Sequence, residues 1–209
     1  MRRVAQRKKR EQGTSILEFA LVAIPTIFMM LGVVVVGIDL GRSVQVAQIC
    51  RDADSMFVRG VPLYQPAAQG IIVRLGQNLN LQTSGGDGLV ILSKIQSVPN
   101  TAVCGAVGTS SYVNCAAGNY INVLVQRIIF GDTTLPGTHY PTAGNVTYDG
   151  LDQVNNYLTD ANAIVSNFSA TLALKQNEIS YVAETYFRSP IVNLGAFNGA
   201  PGTYAQAYF

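Results

Sequence analysis

The sequence predicts an α+β protein in which one long N-terminal helix, transmembrane and then amphipathic, packs on a small antiparallel sheet. Three observations carry that reading. Residues Phe19 to Ile38 contain no charge. Beyond them Leu40, Val44, Ala47, Cys50, Ala53 and Phe57 recur at spacings of three or four, the period of an amphipathic helix. Later runs at 89–98, 120–130 and 179–187 are rich in β-branched residues and bounded by turn signals, as strands are.

The run Phe19–Ile38 has the roughly 20 residues a helix needs to cross the hydrocarbon core. Arg2, Arg3, Arg7, Lys8, Lys9 and Arg10 precede it, and the positive-inside rule then keeps the N-terminus in the cytoplasm and exports the chain beyond Asp39. A secretory signal peptide fits less well. Its apolar region would be about 7–15 residues long and followed by a small-residue cleavage site, which Gly37-Ile38-Asp39-Leu40 does not offer. Pro25, Gly32 and Gly37 would weaken a helix in water but are tolerated in a membrane. They suit either a helix shaped to pack on related helices or ordinary transmembrane composition. Asp39 and Arg42 mark the outer interface, paired along the helix or facing water. The whole helix is expected from about Thr14 to about Gly60.

Composition excludes several classes. Charged residues make up 12% of the 209-residue chain, against about 25% in an average protein, which argues against a freely soluble enzyme. Six of the 14 basic residues lie in the first ten positions. Without residues 1–13 the chain holds eight basic and eleven acidic residues, a net charge of −3, and no basic cluster that would grip nucleic acid.

The segment Arg7-Lys8-Lys9-Arg10-Glu11-Gln12-Gly13-Thr14-Ser15-Ile16-Leu17-Glu18-Phe19 closes a basic leader with glycine and sets a lone glutamate at the edge of the apolar run. It resembles the processing site of type IV prepilin-like proteins. With Glu18-Phe19-Ala20-Leu21-Val22, Ile24-Pro25 and Gly37-Ile38-Asp39-Leu40-Gly41-Arg42, it is similar to the TadE-like family of minor pseudopilins from tight-adherence pilus systems. The resemblance covers about residues 10–60, and 179–187 resembles the strand that closes that family's domain. It implies cleavage between Gly13 and Thr14 by a prepilin peptidase in the bacterial inner membrane. It also implies assembly with other pilins and pseudopilins on an inner-membrane platform. Glu18 would be the fifth residue of the mature chain, and residues i and i+4 share one helix face. Glu18 could therefore face its own new amine or a neighbour's, offsetting the expense of an ionisable group in a membrane; a glutamate at a helix start is also favoured by the macrodipole. The competing reading is a membrane-anchored extracytoplasmic binding or adhesion module independent of pilus assembly.

The expected organisation is a cytoplasmic leader at 1–13, the helix at 14–60 and an extracytoplasmic α+β domain at 61–209 with a loop-rich insertion at 131–175. Pro62 and Pro66 are expected to end the long helix, and Ile71, Ile72, Leu75 and Leu79 suggest a short second one. Val154, Leu158, Ala161, Val165, Phe168 and Leu172 have spacings compatible with a helix over 151–174. The tail from Asn193, with Phe197, Tyr204, Tyr208 and Phe209, reads as irregular and available for a subunit contact. In an oxidising compartment Cys104 and Cys115 read as a disulfide joining the first two strands as a hairpin, whereas two thiols with the single His139 make no recognisable metal set. Cys50 reads as a small buried apolar residue. With one histidine and no phosphate-binding glycine loop, no catalytic residue, metal or cofactor is expected.

Overall fold

The computed structural model describes residues 2–99, 120–137, 140, 142–165, 167–168, 171–175, 177–189, 193–194, 197–198 and 202–209, with backbone only for 2–15, 99, 120, 193–194 and 197–198. Helix α1 spans Arg2–Val58 and α2 Pro66–Leu75. Strands β1 (Gly88–Pro99), β2 (Tyr120–Gly131), β3 (Ile179–Arg188), β4 (Asn193–Leu194), β5 (Phe197–Asn198) and β6 (Gly202–Tyr208) complete the regular structure, with single 3₁₀ turns at Gln77–Leu79 and Ala161–Ala163. The α+β class expected from the sequence is the one observed. The chain divides into two compact units, Met1–Arg42 with Ile191–Ala200, and Ser43–Pro190 with Pro201–Phe209.

The first unit holds the N-terminal part of α1 and the short antiparallel pair β4–β5. The helix begins earlier than expected, and its backbone is already helical through Gly13 and Thr14. Pro25 lies inside α1 without ending it. The Thr26 hydroxyl donates to the Val22 carbonyl at 2.8 Å, in the turn that the missing proline donor loosens. One described helix is long and apolar enough to cross a membrane, with a mean hydropathy of 2.7 over its most apolar stretch. Phe19, Met29 and Val33 are each more than 70% exposed, so this stretch is not the buried core helix of a globular domain.

The second unit is built on a four-stranded antiparallel sheet in the order β2-β1-β3-β6. On one face Val90, Leu92, Ile128, Phe130, Ala183, Phe187 and Ala207 pack against Val46, Ile49, Cys50, Ala53 and Phe57 of α1 and Ala68 and Ile72 of α2. Burying each large member of that set stabilises the fold by about 1.5–3 kcal/mol. Phe57 meets the Tyr181 ring edge-on at 5.2 Å. Small residues on β3 and β6 allow close approach, and the Cys50 thiol lies 3.3 Å from the Ala183 carbonyl oxygen and 3.6 Å from that of Ala205.

The opposite face is covered by the excursion between β2 and β3. Ile95, Leu124 and Val182 form one cluster with Val154, Ala163, Val165 and Phe168 of that excursion. Leu135 closes a second over Leu89 and Ile91. The excursion also follows the free edge of β2, where Val154 N donates to Val125 O at 2.9 Å and Val165 N to Asn122 O at 2.8 Å. A bulge places Val125 between the pairs Lys94–Gln126 and Ile95–Leu124.

Four expectations need correction. The buried stripe of α1 is Val46, Ile49, Cys50, Ala53 and Phe57, while Leu40 and Val44 are exposed, because contact with the sheet begins only at Val46. Pro66 starts α2 at its first position rather than ending α1, in keeping with a residue whose missing N–H is no loss there. The described part of 151–174 is turns rather than a helix. Asp149 Oδ1 accepts from the N–H groups of Leu151 and Gln153, Asp160 Oδ1 accepts from that of Asn162, and Asp152 and Asn156 adopt positive φ. Such side-chain bonds compete with the helical ladder. The tail is regular where it ends: Gly202–Tyr208 is the outer strand of the sheet, paired with β3 from Val182–Tyr208 to Arg188–Gly202. The β1–β2 connection, with Cys104 and Cys115, lies outside the described residues, as does His139.

Gly131 ends β2 at φ +103°, and an added Cβ would collide with the Gly88 carbonyl oxygen, which belongs to backbone and cannot yield. Gly85 has φ +77° but open space around it. Gly131→Ala is therefore expected to destabilise the second unit by about 3 kcal/mol and Gly85→Ala by only about 1 kcal/mol. Denaturation of the two variants side by side checks the contrast, and equal losses would refute the steric account.

Candidate functional site

The residues singled out by sequence fall in three places. Gly13 and Thr14 lie within the helical backbone of α1, so an extended strand through a protease would require that turn to unwind. Glu18 is exposed and flanked by Leu17, Leu21 and Val22, with which it lines a shallow, almost wholly apolar depression. It is the one charged residue between Glu11 and Asp39. A carboxylate on such a surface is costly in lipid unless a cation meets it. Phe19, Pro25 and Ile38 follow on the apolar stretch, and Asp39 and Arg42 are half-buried just beyond it.

Two acidic groups of the second unit were not singled out by sequence. Asp54 lies one helical turn after Cys50 on α1, is fully buried, and neither carboxylate oxygen has a hydrogen-bond partner. Burial alone pushes its pKa up to about 7. The neighbouring Cys50 thiol is pushed up to about 12, first by burial, and so behaves as an inert apolar group, as expected. Glu184, 2% exposed on β3, is by contrast well satisfied: it accepts from the Tyr204 hydroxyl at 2.5 Å and from Tyr140 N at 2.9 Å. Arg127, on the same sheet face, donates from Nε to Ser93 Oγ at 3.0 Å. Burial pulls its guanidinium below the ordinary value, while Tyr148 and Glu184 oppose that pull. Tyr140 packs between Phe168 and Tyr208, at 6.1 and 6.3 Å between ring centres.

This second group of residues ties the excursion to the sheet. Tyr140 and Tyr148 belong to the excursion, whereas Ser93, Arg127, Glu184 and Tyr204 belong to the strands. Among the described residues no cluster of histidine, cysteine and acidic side chains could hold a metal ion. No family model, no curated protein and no solved structure matches the chain.

The orphaned Asp54 gives a pH dependence of defined sign. Its folded pKa, about 7, exceeds the unfolded value near 3.8, so the folded state holds its proton more tightly. Stability contributed by this group is whole below about pH 4, falls as pH rises toward 7 and is level above. Asp54→Asn is expected to flatten that slope and to stabilise the second unit at pH 8 by roughly 2 kcal/mol, less than the full ionisation penalty because an unpartnered amide is buried in its place. Denaturation of both proteins between pH 4 and 8, followed by tyrosine fluorescence, checks this.

Proposed function

We propose that this chain is a single-pass membrane-anchored assembly protein with an exported α+β domain. Its particular role is that of a minor pseudopilin, which enters or primes a tight-adherence pilus after its leader is removed. The observation that carries the reading is the placement of Glu18. It sits five residues after Gly13, at the threshold of an exposed and uncharged helical stretch of about 30 Å, the thickness of a hydrocarbon core. One described helix fits a single-pass anchor by length and composition. The basic leader argues for a cytoplasmic N-terminus and a periplasmic second unit.

In this reading a prepilin peptidase of the inner membrane cuts after Gly13, a residue whose lack of Cβ eases the unwinding that cleavage needs. The new amine of Thr14 then lies one turn from Glu18, on the same helix or a neighbouring one. Pairing the two removes a lone charge from lipid and fixes the axial register of adjacent helices. The partners are the peptidase, other pilins and pseudopilins, and the inner-membrane assembly platform.

The N-terminal mass of protein isolated from its native membranes tests processing. A chain beginning at Thr14, lost when Gly13 is replaced by a bulky residue, is the expected result; a chain still beginning at Met1 in cells with active peptidase would sink the proposal. Assembly is tested separately. Glu18→Ala is expected to leave cleavage intact and to lower surface pili at least tenfold, measured by shearing and immunoblot, while Glu18→Asp retains partial assembly. Normal piliation of the alanine variant would remove Glu18 from the mechanism.

A further inference from the structure

We propose that the second unit carries a binding groove for a sugar acid, a pyranose-sized ring bearing one carboxylate. The proposal is independent of leader cleavage and of pilus assembly. The groove has a volume of about 210 Å³ and opens where six segments of the second unit meet. Phe57 comes from the end of α1, Tyr64 from the turn after it, Lys94 from β1, Gln126 from β2, Gln153 from the excursion and Tyr181 from β3. Pockets for drug-sized ligands run to roughly 300–1,000 Å³, so this one admits about a single ring.

The chemistry of the lining selects the occupant. Lys94 is half-buried, and among the described residues no carboxylate lies within ion-pair distance of it. Its one described contact is with the Tyr181 ring, whose centre lies 5.9 Å from the ammonium nitrogen. A half-buried cation held over an aromatic face and lacking a counter-charge is a site for an anion. A single lysine suits a monoanionic carboxylate better than a phosphate, which would call for more cationic or backbone donors. The rest of the wall suits a hydroxylated ring. The Tyr64 and Tyr181 hydroxyls and the Gln153 side-chain amide have no hydrogen-bond partner in the described structure. Gln126 gives its Nε2 to the Leu151 carbonyl at 2.7 Å and keeps its own oxygen as an acceptor. Tyr64 and Tyr181, both partly exposed, supply aromatic surface for the C–H face of a pyranose. The Val125 bulge interrupts the ladder beside Lys94 and Gln126, a device that re-aims side chains next to sites.

The test uses the full chain in lipid nanodiscs and saturation-transfer NMR titrations with glucuronate, glucose and N-acetylglutamate as probes. Saturable binding of glucuronate is expected, with glucose and N-acetylglutamate at least tenfold weaker. Lys94→Gln is expected to weaken glucuronate at least tenfold while the thermal midpoint of the second unit stays within a few degrees. Should that variant fold poorly, Tyr64→Ala serves in its place, with the same loss expected from removing one wall of the groove. Absence of saturable glucuronate binding, or binding indifferent to the folded variant, overturns the proposal. Equal binding of N-acetylglutamate overturns it in favour of an acidic peptide.

Discussion

The structure depends on how closely the C-terminal part of α1 can approach one face of the sheet. Ala183, Ala205 and Ala207 leave room for the helix backbone, and Cys50 reaches the carbonyls of two different strands. That approach adds a packing contact to the strand pairing that holds β6. β6 has one neighbour in the sheet, β3, and an edge strand with one ladder and no packing partner is marginal. With Ala205 and Ala207 against α1 it becomes part of the core. The helix in turn is ordered over this segment by tertiary contact, which stabilises most helices in proteins more than intrinsic propensity does.

The two faces of the sheet are held by different means. The helical face is nearly all apolar, and the buried carboxylate of Asp54 on it is left without a partner. The other face carries Arg127, Glu184, Ser93 and tyrosines inside an otherwise apolar interface with a turn-rich segment. A segment without its own helix or strand cannot register itself by a periodic apolar stripe. Directional bonds do that work instead: the Tyr140 amide on Glu184, and backbone bonds from residues near 152–165 to the edge of β2. Buried polar networks of this kind contribute specificity only when each member is satisfied, and Glu184 is.

This division explains which parts of the fold were legible in the sequence. α1, α2, β1, β2 and β3 each carry a local signal, whether an uncharged run, a 3.6-residue stripe or a block of β-branched residues. β6 carries a signal too, the strict alternation of Tyr204, Gln206 and Tyr208 with Ala205 and Ala207. Its apolar side is alanine, and alanine marks a core position only once the helix it admits is known. The excursion misled for a related reason. Val154, Val165 and Phe168 are buried as a helical stripe would be, but Asp149, Asp152, Asn156 and Asp160 hold the backbone in turns between them. Spacing recorded which residues are buried and not the path that buries them. Glu184 and Arg127 gave no signal, because an ionisable residue in a strand reads as solvent-facing until both faces are known to be covered. Gly13, Thr14 and Glu18 were legible only as a pattern, to which the structure adds a helical backbone through all three and the exposure of Glu18.

Asp54 and Glu18 pose the same electrostatic problem in different surroundings. Each is a carboxylate placed on α1 among apolar groups with no cation beside it in the described structure. Asp54 is enclosed by its own chain, so protonation is the one relief open to it, and its raised pKa expresses that. Glu18 stands on an open face, where a second molecule can supply the missing charge. At Asp54 the fold itself completes the environment of the carboxylate, whereas at Glu18 that environment must come from outside. The assembly role proposed for this chain rests on that difference, since a charge that only a partner can satisfy favours the assembled state over the isolated subunit.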